Sequence, residues 1–237
     1  MNRKKPSMRL PKTSKSASKT SGLQTIRLPR PKPGRGMSVF TALQKRNTVR
    51  TISEKKLPPQ MLSNLLWAAC GVNRKKGPFG ISGRTAASAS NSQEIELYVA
   101  LQEGIYIYEA LSHRLAPILA GDWRNLAIGQ GQGNWGAKAP VRLIYVVDIE
   151  KFKYAGFQEP GLKDTEVQKS YYYADTGLIA GNVYLFAASQ GLAAWFHNCN
   201  KQALAAKLQL RNGKRALFGQ TIGYPAKDRT AKPVLTP

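Results

Sequence analysis

Acids, histidines and cysteines are scarce in this chain, and each scarcity removes a kind of chemistry. Asp and Glu total 13 against 36 Lys and Arg, for a formal net charge of +23. A site built on paired carboxylates has few residues to draw on. His113 and His197 are the two histidines, Cys70 and Cys199 the two cysteines, with no CxxC and no zinc spacing. A structural zinc site and a disulfide framework are therefore not expected, and both cysteines should be reduced and partly buried. No apolar run reaches the ~18 residues of a membrane-spanning helix. The first residues lack the apolar core of a secretory signal, which points to a cytosolic protein. Neither GxSxG nor GxxxxGK[ST] occurs, so a hydrolase elbow and a triphosphate loop are not expected. The close glycines of "GQGQGNWG" do not join a strand to a helix as a dinucleotide loop would. A chain this poor in acid–base groups either does no chemistry or leaves it to a cofactor.

What is present suits a globular protein. A length of 237 residues fits one large domain or two small ones, and 42% hydrophobic residues suffice for a core. Residues 1–36 hold 11 Lys or Arg, no acid and no aromatic residue, and are rich in Ser, Thr and Pro. Such a segment cannot bury enough apolar surface to offset its ordering entropy and is expected to be disordered. Three roles stay open for it: a solubilising arm, contact with nucleic acid or another anionic surface through counterion release, and a targeting presequence. Without an aromatic residue it offers no platform for stacking bases. Residues 37–237 form the expected folded domain.

Within that domain Ser38 is placed to cap a short helix, "VFTALQKR". "LPPQMLSNLLWAACG" (57–71) reads as an amphipathic helix with the stripe Leu62, Leu65, Leu66 and Ala69, and Gly71 as its left-handed end. Residues 71–84 read as a loop. "IELYVAL" and "IYIYEAL" read as a hairpin, "RLAPILAGD" as the next strand with His113 exposed in the turn, and Asp122 as the cap of a helix from Trp123. "VRLIYVVD" (141–148) reads as a central strand, and 151–170 as a lid or a partly helical stretch. "YYYADTGLIAGNVYLFAASQG" (171–191) is apolar on nearly every face and predicts a helix buried on all sides, with Asp175 and Asn182 on one face. Strands over 192–199 and 216–225 and a helix over 202–210 complete the pattern. Hairpin-linked strands mixed with helices, without a βαβ rhythm, argue for an α+β fold with a mainly antiparallel central sheet flanked by helices.

Two stretches suggest a ligand. "KRNTVR" (45–50) sets Arg46 and Arg50 four apart around Asn47 and Thr48, a donor set suited to an anion. "TAASASNSQEIELYV" runs small and amide residues into a strand; small side chains let a backbone approach a flat ligand, and Ser88, Ser90, Asn91 and Gln93 offer hydrogen bonds to its edge. The order "KRNTVR", "TAASASNSQEIELYV", "DTGLIAGNVYLFAASQGLAAWF", "GQTIGYP" resembles the nitroreductase-like FMN flavoproteins over about residues 37–228, most closely the branch that includes the SagB-type dehydrogenases. The resemblance implies a homodimer with FMN at the interface. It implies that Arg46, Asn47, Thr48 and Arg50 hold the FMN phosphate and ribityl chain. Ala87, Ser88 and Ala89 would lie against the flavin ring and Asn91 at its pyrimidine edge. The family pattern has Pro-Ser more often at 87–88, where this chain has Ala-Ser. Trp195, Phe196, His197 and Asn198 would run past the ring, near N5; relatives commonly have Gly near 198. A cation after "GYP", with Lys227, Arg229 and Lys232 as candidates and Arg229 taken here, would return to the phosphate. The activity implied is electron transfer from NADH or NADPH through FMN to a small organic acceptor such as a nitroaromatic or quinone. Two other functions stay open: nucleic-acid binding through the tail, and flavin binding without turnover.

Overall fold

The computed structural model describes residues 20, 22–34, 36–129, 131–132 and 138–226. The strands are β1 (Ile26–Arg27), β2 (Val72–Arg74), β3 (Gly83–Arg84), β4 (Ile95–Ala100), β5 (Gly104–Glu109), β6 (Arg114–Ala120), β7 (Val141–Asp148), β8 (Ala193–His197) and β9 (Lys214–Gly223). The helices are α1 (Val39–Lys45), α2 (Pro59–Cys70), α3 (Thr165–Ser189) and α4 (Lys201–Leu208). Seven strands form one sheet in the order β1-β6-β5-β4-β7-β9-β8, and every described pairing in it is antiparallel. The fold is α+β, with helices flanking a central antiparallel sheet, as the pattern of the sequence predicts.

The core has two main parts. Leu65, Leu66 and Ala69 of α2 and Ile179, Ala180, Val183 and Ala187 of α3 pack on Leu97, Val99, Leu143 and Tyr145 of the sheet. On the other face, Leu204 and Leu208 of α4 meet Tyr98, Ile144 and Val146. The alternation along β4 and β7 explains this, since successive side chains point to opposite faces. Leu65 and Leu66 are wholly covered, and each such side chain contributes roughly 1.5–3 kcal/mol by its burial.

Several expectations are corrected. Order begins before residue 37. Ile26–Arg27 pairs with β6, and Pro29 O accepts from Ser63 Oγ at 2.5 Å and lies 3.1 Å from His113 Nε2. Residues 1–19 lie outside the described residues. His113 is not an idle surface group: it is half-buried, and Tyr108 OH lies 2.9 Å from its Nδ1. The backbone of residues 71–84 includes the small β2–β3 ladder. Gly71 is extended, not left-handed (φ −70°), and a Cβ there would come within 2.5 Å of Trp67 Cδ1. Close packing on Trp67, rather than a turn, requires that glycine. Asp122 leads into a short 3-10 turn, Arg124–Ala127, rather than a full helix.

The long helix starts at Thr165, where the Asp164 carboxylate accepts from the backbone N–H of Glu166 and Val167. It is not buried on all sides within the chain. Tyr172, Asp175, Thr176, Ile179, Ala180, Val183 and Ala187 are buried, while Ala174, Gly177 and Leu178 are exposed. Only one face of this helix finds the sheet and α2.

Candidate functional site

The 46–50 strip is fixed where α1 gives way to extended chain. Ser38 Oγ accepts from Thr41 N (3.1 Å) and starts α1; Arg46 leaves helical geometry with φ −61° and ψ 121°. Three residues on, Val49 N donates to Ala194 O at 3.0 Å, which seats the strip beside β8. Tyr184 of α3 ties the same place together: its hydroxyl accepts from Phe196 N (2.8 Å) and lies 3.2 Å from Thr48 Oγ1. The guanidinium of Arg46 stands 5.6 Å from the centre of the Tyr184 ring, and that of Arg50 5.8 Å from the Trp195 ring. Aromatic faces hold each cation in place without cancelling its charge. Arg46 makes no ion pair among the described residues. Asn47 Nδ2 donates to Lys45 O, so its side chain braces the turn itself.

The 195–198 strip divides by strand alternation. Phe196 is half-buried and packs against Tyr145 and Phe218, with ring centres 5.8 and 4.8 Å away. His197 points the other way and is buried, with Nε2 2.8 Å from Thr221 Oγ1 and Nδ1 2.7 Å from Asn198 O. Burial drives its pKa down to about 4, so the ring is neutral near pH 7; its one N–H, on Nδ1, is held by the Asn198 carbonyl, and there is no imidazolium to act as an acid. Asn198 Oδ1 accepts from Cys199 N, and its carbonyl accepts from Gly129 N.

The 87–91 loop is held differently. Ala89 N donates to Asp175 Oδ2 at 2.9 Å, and Gln93 N donates to Ser88 Oγ at 3.0 Å. Asn91 Oδ1 accepts from Gln93 Nε2 (3.0 Å), whose amide also reaches Ser82 O (2.7 Å). Ser90, Asn91 and Gln93 have φ of 48°, 55° and 52°, a left-handed backbone that bulky residues rarely adopt. Beside the loop opens a cavity of about 460 Å³, with Ala87, Ser88, Cys70, Arg84, Lys151 and Asp175 in its wall. A flat ligand can therefore reach the small side of the loop. Burial pushes the Cys70 thiol up to about 11, so it is no nucleophile.

The structure brings two of the predicted strips together, 46–50 and 195–198, and keeps the third apart. Tyr184 and Asp175, the α3 residues that hold the two groups, are nine positions apart. That is ~13.5 Å along the helix and about half a turn around it. Arg229, Lys227 and Lys232 lie outside the described residues. Tyr184, which joins the 46–50 and 195–198 strips, is a residue the sequence reading missed. Its signal was present: a tyrosine inside an apolar helix needs a partner for its hydroxyl.

Comparison with known proteins bears on the family and the fold. The pattern of the Nitroreductase family matches residues 43–224, and the chain belongs to that family. A protein of Methanocaldococcus jannaschii described as a nitroreductase, MJ1384, is 30% identical over 157 residues, covering 63% of this chain and 73% of that one. A crystal structure described as a nitroreductase from Ralstonia eutropha JMP134 superposes with a TM-score of 0.72 at 31% identity, over 86% of this chain and 90% of that one. A chain of the E. coli microcin synthetase McbBCD complex shares the fold, with a TM-score of 0.60 at 19% identity, over 92% and 85% of the two chains. Membership of the family gives the chain a function of the oxidoreductase type.

Proposed function

We propose that this chain is an FMN-dependent oxidoreductase that takes electrons from NADH or NADPH and passes them to a small organic acceptor such as a nitroaromatic or quinone. Within the family we place it beside the SagB-type dehydrogenases, without assigning it their peptide substrates. The observation that carries the reading is the seating of Arg46, Thr48 and Arg50 on β8 and Tyr184. Their chemistry suits a phosphate monoester with a polyol chain: two planar cations and a hydroxyl at one edge of an apolar strip. Bound there, FMN would supply the electron transfer, relaying a hydride equivalent from nicotinamide to acceptor.

The chain's own part is to bind, orient and exclude water. Arg46 and Arg50 hold the anion. Tyr184 fixes both the strip and the Phe196 backbone, so phosphate site and ring site keep one spacing. Phe196 and Phe218 form an apolar surface for a ring. Ser88 and Asn91 supply polar contacts from the loop across α3.

The active form is a homodimer. Val39, Phe40 and Leu43 of α1 and Leu178 of α3 are exposed, at 66, 86, 52 and 49%. Ala174, Gly177 and Gly181 share the Leu178 side of α3, and nothing lies within 4 Å of a Cβ built on either glycine. This stripe runs between Tyr184 and Asp175, the two α3 residues that hold 46–50 and 87–91. A second copy seated on it borders both, and the strips that one chain keeps apart can meet across the interface. The test is FMN titration of the purified protein, followed by flavin fluorescence. Micromolar or tighter binding by the native chain, lost in the double variant R46A/R50A, supports the reading; absence of binding by the native chain rejects it.

A further inference from the structure

Glu94 and Asp175 are two acids in a chain that has few, and both are buried, at 0 and 5% exposure. Each carboxyl group is close enough to act on the other's titration, and the two hold opposite ends of one loop segment. Two neighbouring buried carboxylates offer only acceptors and repel each other, so one proton between them relieves both. Glu94 Oε1 has no N–H or O–H donor among the described residues. Its other oxygen accepts from Ser92 Oγ at 2.6 Å, while Asp175 Oδ2 accepts from Ala89 N. The pair thus grips both ends of the segment 89–92, whose two middle residues, Ser90 and Asn91, are left-handed. A strained turn persists only when its surroundings over-determine it.

We propose that Glu94 and Asp175 share one proton and that this proton latches the 87–93 loop in the conformation that presents Ser88 and Asn91 to the flavin. The inference rests on the reading under Proposed function for the ligand, but not for the latch itself. Both acids are positioning residues. Glu94 lies behind the loop, where burial and the neighbouring Asp175 charge raise its pKa to about 7; burial raises Asp175 as well. The charged groups on the surrounding elements are engaged with others. Arg84 Nε donates to Gln93 Oε1, and Lys151 Nζ contacts Gln93 O and pairs with Glu96. Lys214 pairs with Glu96 and Asp148, while the Asp148 backbone N–H donates to Glu94 O. On α3, Tyr171 is tied to Glu159. None of these donates to the acid pair among the described residues, so loss of the shared proton leaves two neighbouring buried anions with no cation to separate them.

The sign follows from linkage. A carboxyl whose folded pKa is raised favours the latched state at low pH and withdraws that support as pH rises from about 4.5 through about 7. Hydrogen exchange at the Ala89 and Gln93 amides of the full chain, without flavin, reads the latch. Native protein and E94Q are compared at the same pH, at about 6 and about 8.5, so intrinsic exchange cancels. The glutamine amide donates to Asp175 at every pH and cannot ionise. We expect native protection to fall about tenfold relative to E94Q across this range, with D175N behaving like E94Q. The Kd for FMN in the native chain should weaken by about the same factor relative to E94Q at the same pH, a ratio in which the phosphate's own titration cancels. Equal pH dependence of protection in native protein and E94Q overturns the latch. Failure to bind FMN at any pH, with the protection difference intact, overturns the cofactor reading and leaves the latch standing. Should E94Q not fold, D175N decides by the same comparison.

Discussion

Arg46 and Arg50 bear the heaviest claim made on single residues. Each charge-assisted bond to phosphate is worth roughly 1.5–3 kcal/mol, so R46A and R50A should each weaken FMN binding about tenfold to a hundredfold. R46K should recover part of the loss, because it keeps the charge and loses the planar fork. Fluorescence titration checks both; an R46A Kd equal to the native one would remove Arg46 from the site. His197 makes a separate prediction. Folded, its ring titrates at about 4, against the ordinary 6.5 when unfolded. It is neutral in both states above pH 6.5, and stability then declines as the pH falls from 6.5 toward 4. In H197N that slope should flatten by on the order of 3 kcal/mol over the window, measured by urea unfolding at several pH values. The two cations were readable from "KRNTVR" itself. The roles of His113 and Tyr184 were not, because their partners Pro29, Ser63, Thr48 and Phe196 are distant in sequence.

At the scale of elements, local pattern was informative where one face meets the core. The stripe of α2 and the alternation of β4 and β5 lie where the sequence places them, within a residue or two. The register of 71–84 was not readable, since a ladder this short depends on α2 and Gly83 rather than on its own propensity. The "apolar on every face" reading of α3 failed within one chain for a physical reason: composition reports what a helix could bury, not what is there to cover it. Tyr184 lets two elements be tested at once. Y184F removes the acceptor of the Phe196 N–H and the contact with Thr48, leaving a half-buried donor unpaired. We expect a loss of about 1–3 kcal/mol in stability and weaker FMN binding, both absent in the control variant Y173F if the hydroxyl of Tyr184 is what matters. In the α2 stripe, L65A should cost about 2–5 kcal/mol by cavity formation, read by denaturant unfolding.

For the whole molecule, the fold class was legible because hairpins and helices alternate without βαβ units. The homodimer rests on the family resemblance alone, since nothing in a single chain's pattern says that the 46–50 and 87–91 strips stand on opposite sides of α3. The proposed interface predicts that L178R, a charge on the exposed stripe, yields monomers by sedimentation and lowers flavin occupancy. A dimer unchanged by L178R would place the seam elsewhere. Two buried groups also oppose one another across the same acidic range. His197 weakens the fold as pH falls, while Glu94 weakens it as pH rises. Global stability therefore combines opposite slopes, and only local or variant-specific measurements separate them. The central claim, that this basic chain is a working flavoprotein, is tested most directly by its visible absorbance spectrum, recorded with FMN and then after anaerobic NADPH or NADH. The account predicts a bound flavin spectrum that bleaches when the nicotinamide is added. A protein that takes up no FMN, or holds it without bleaching with either donor, would contradict it.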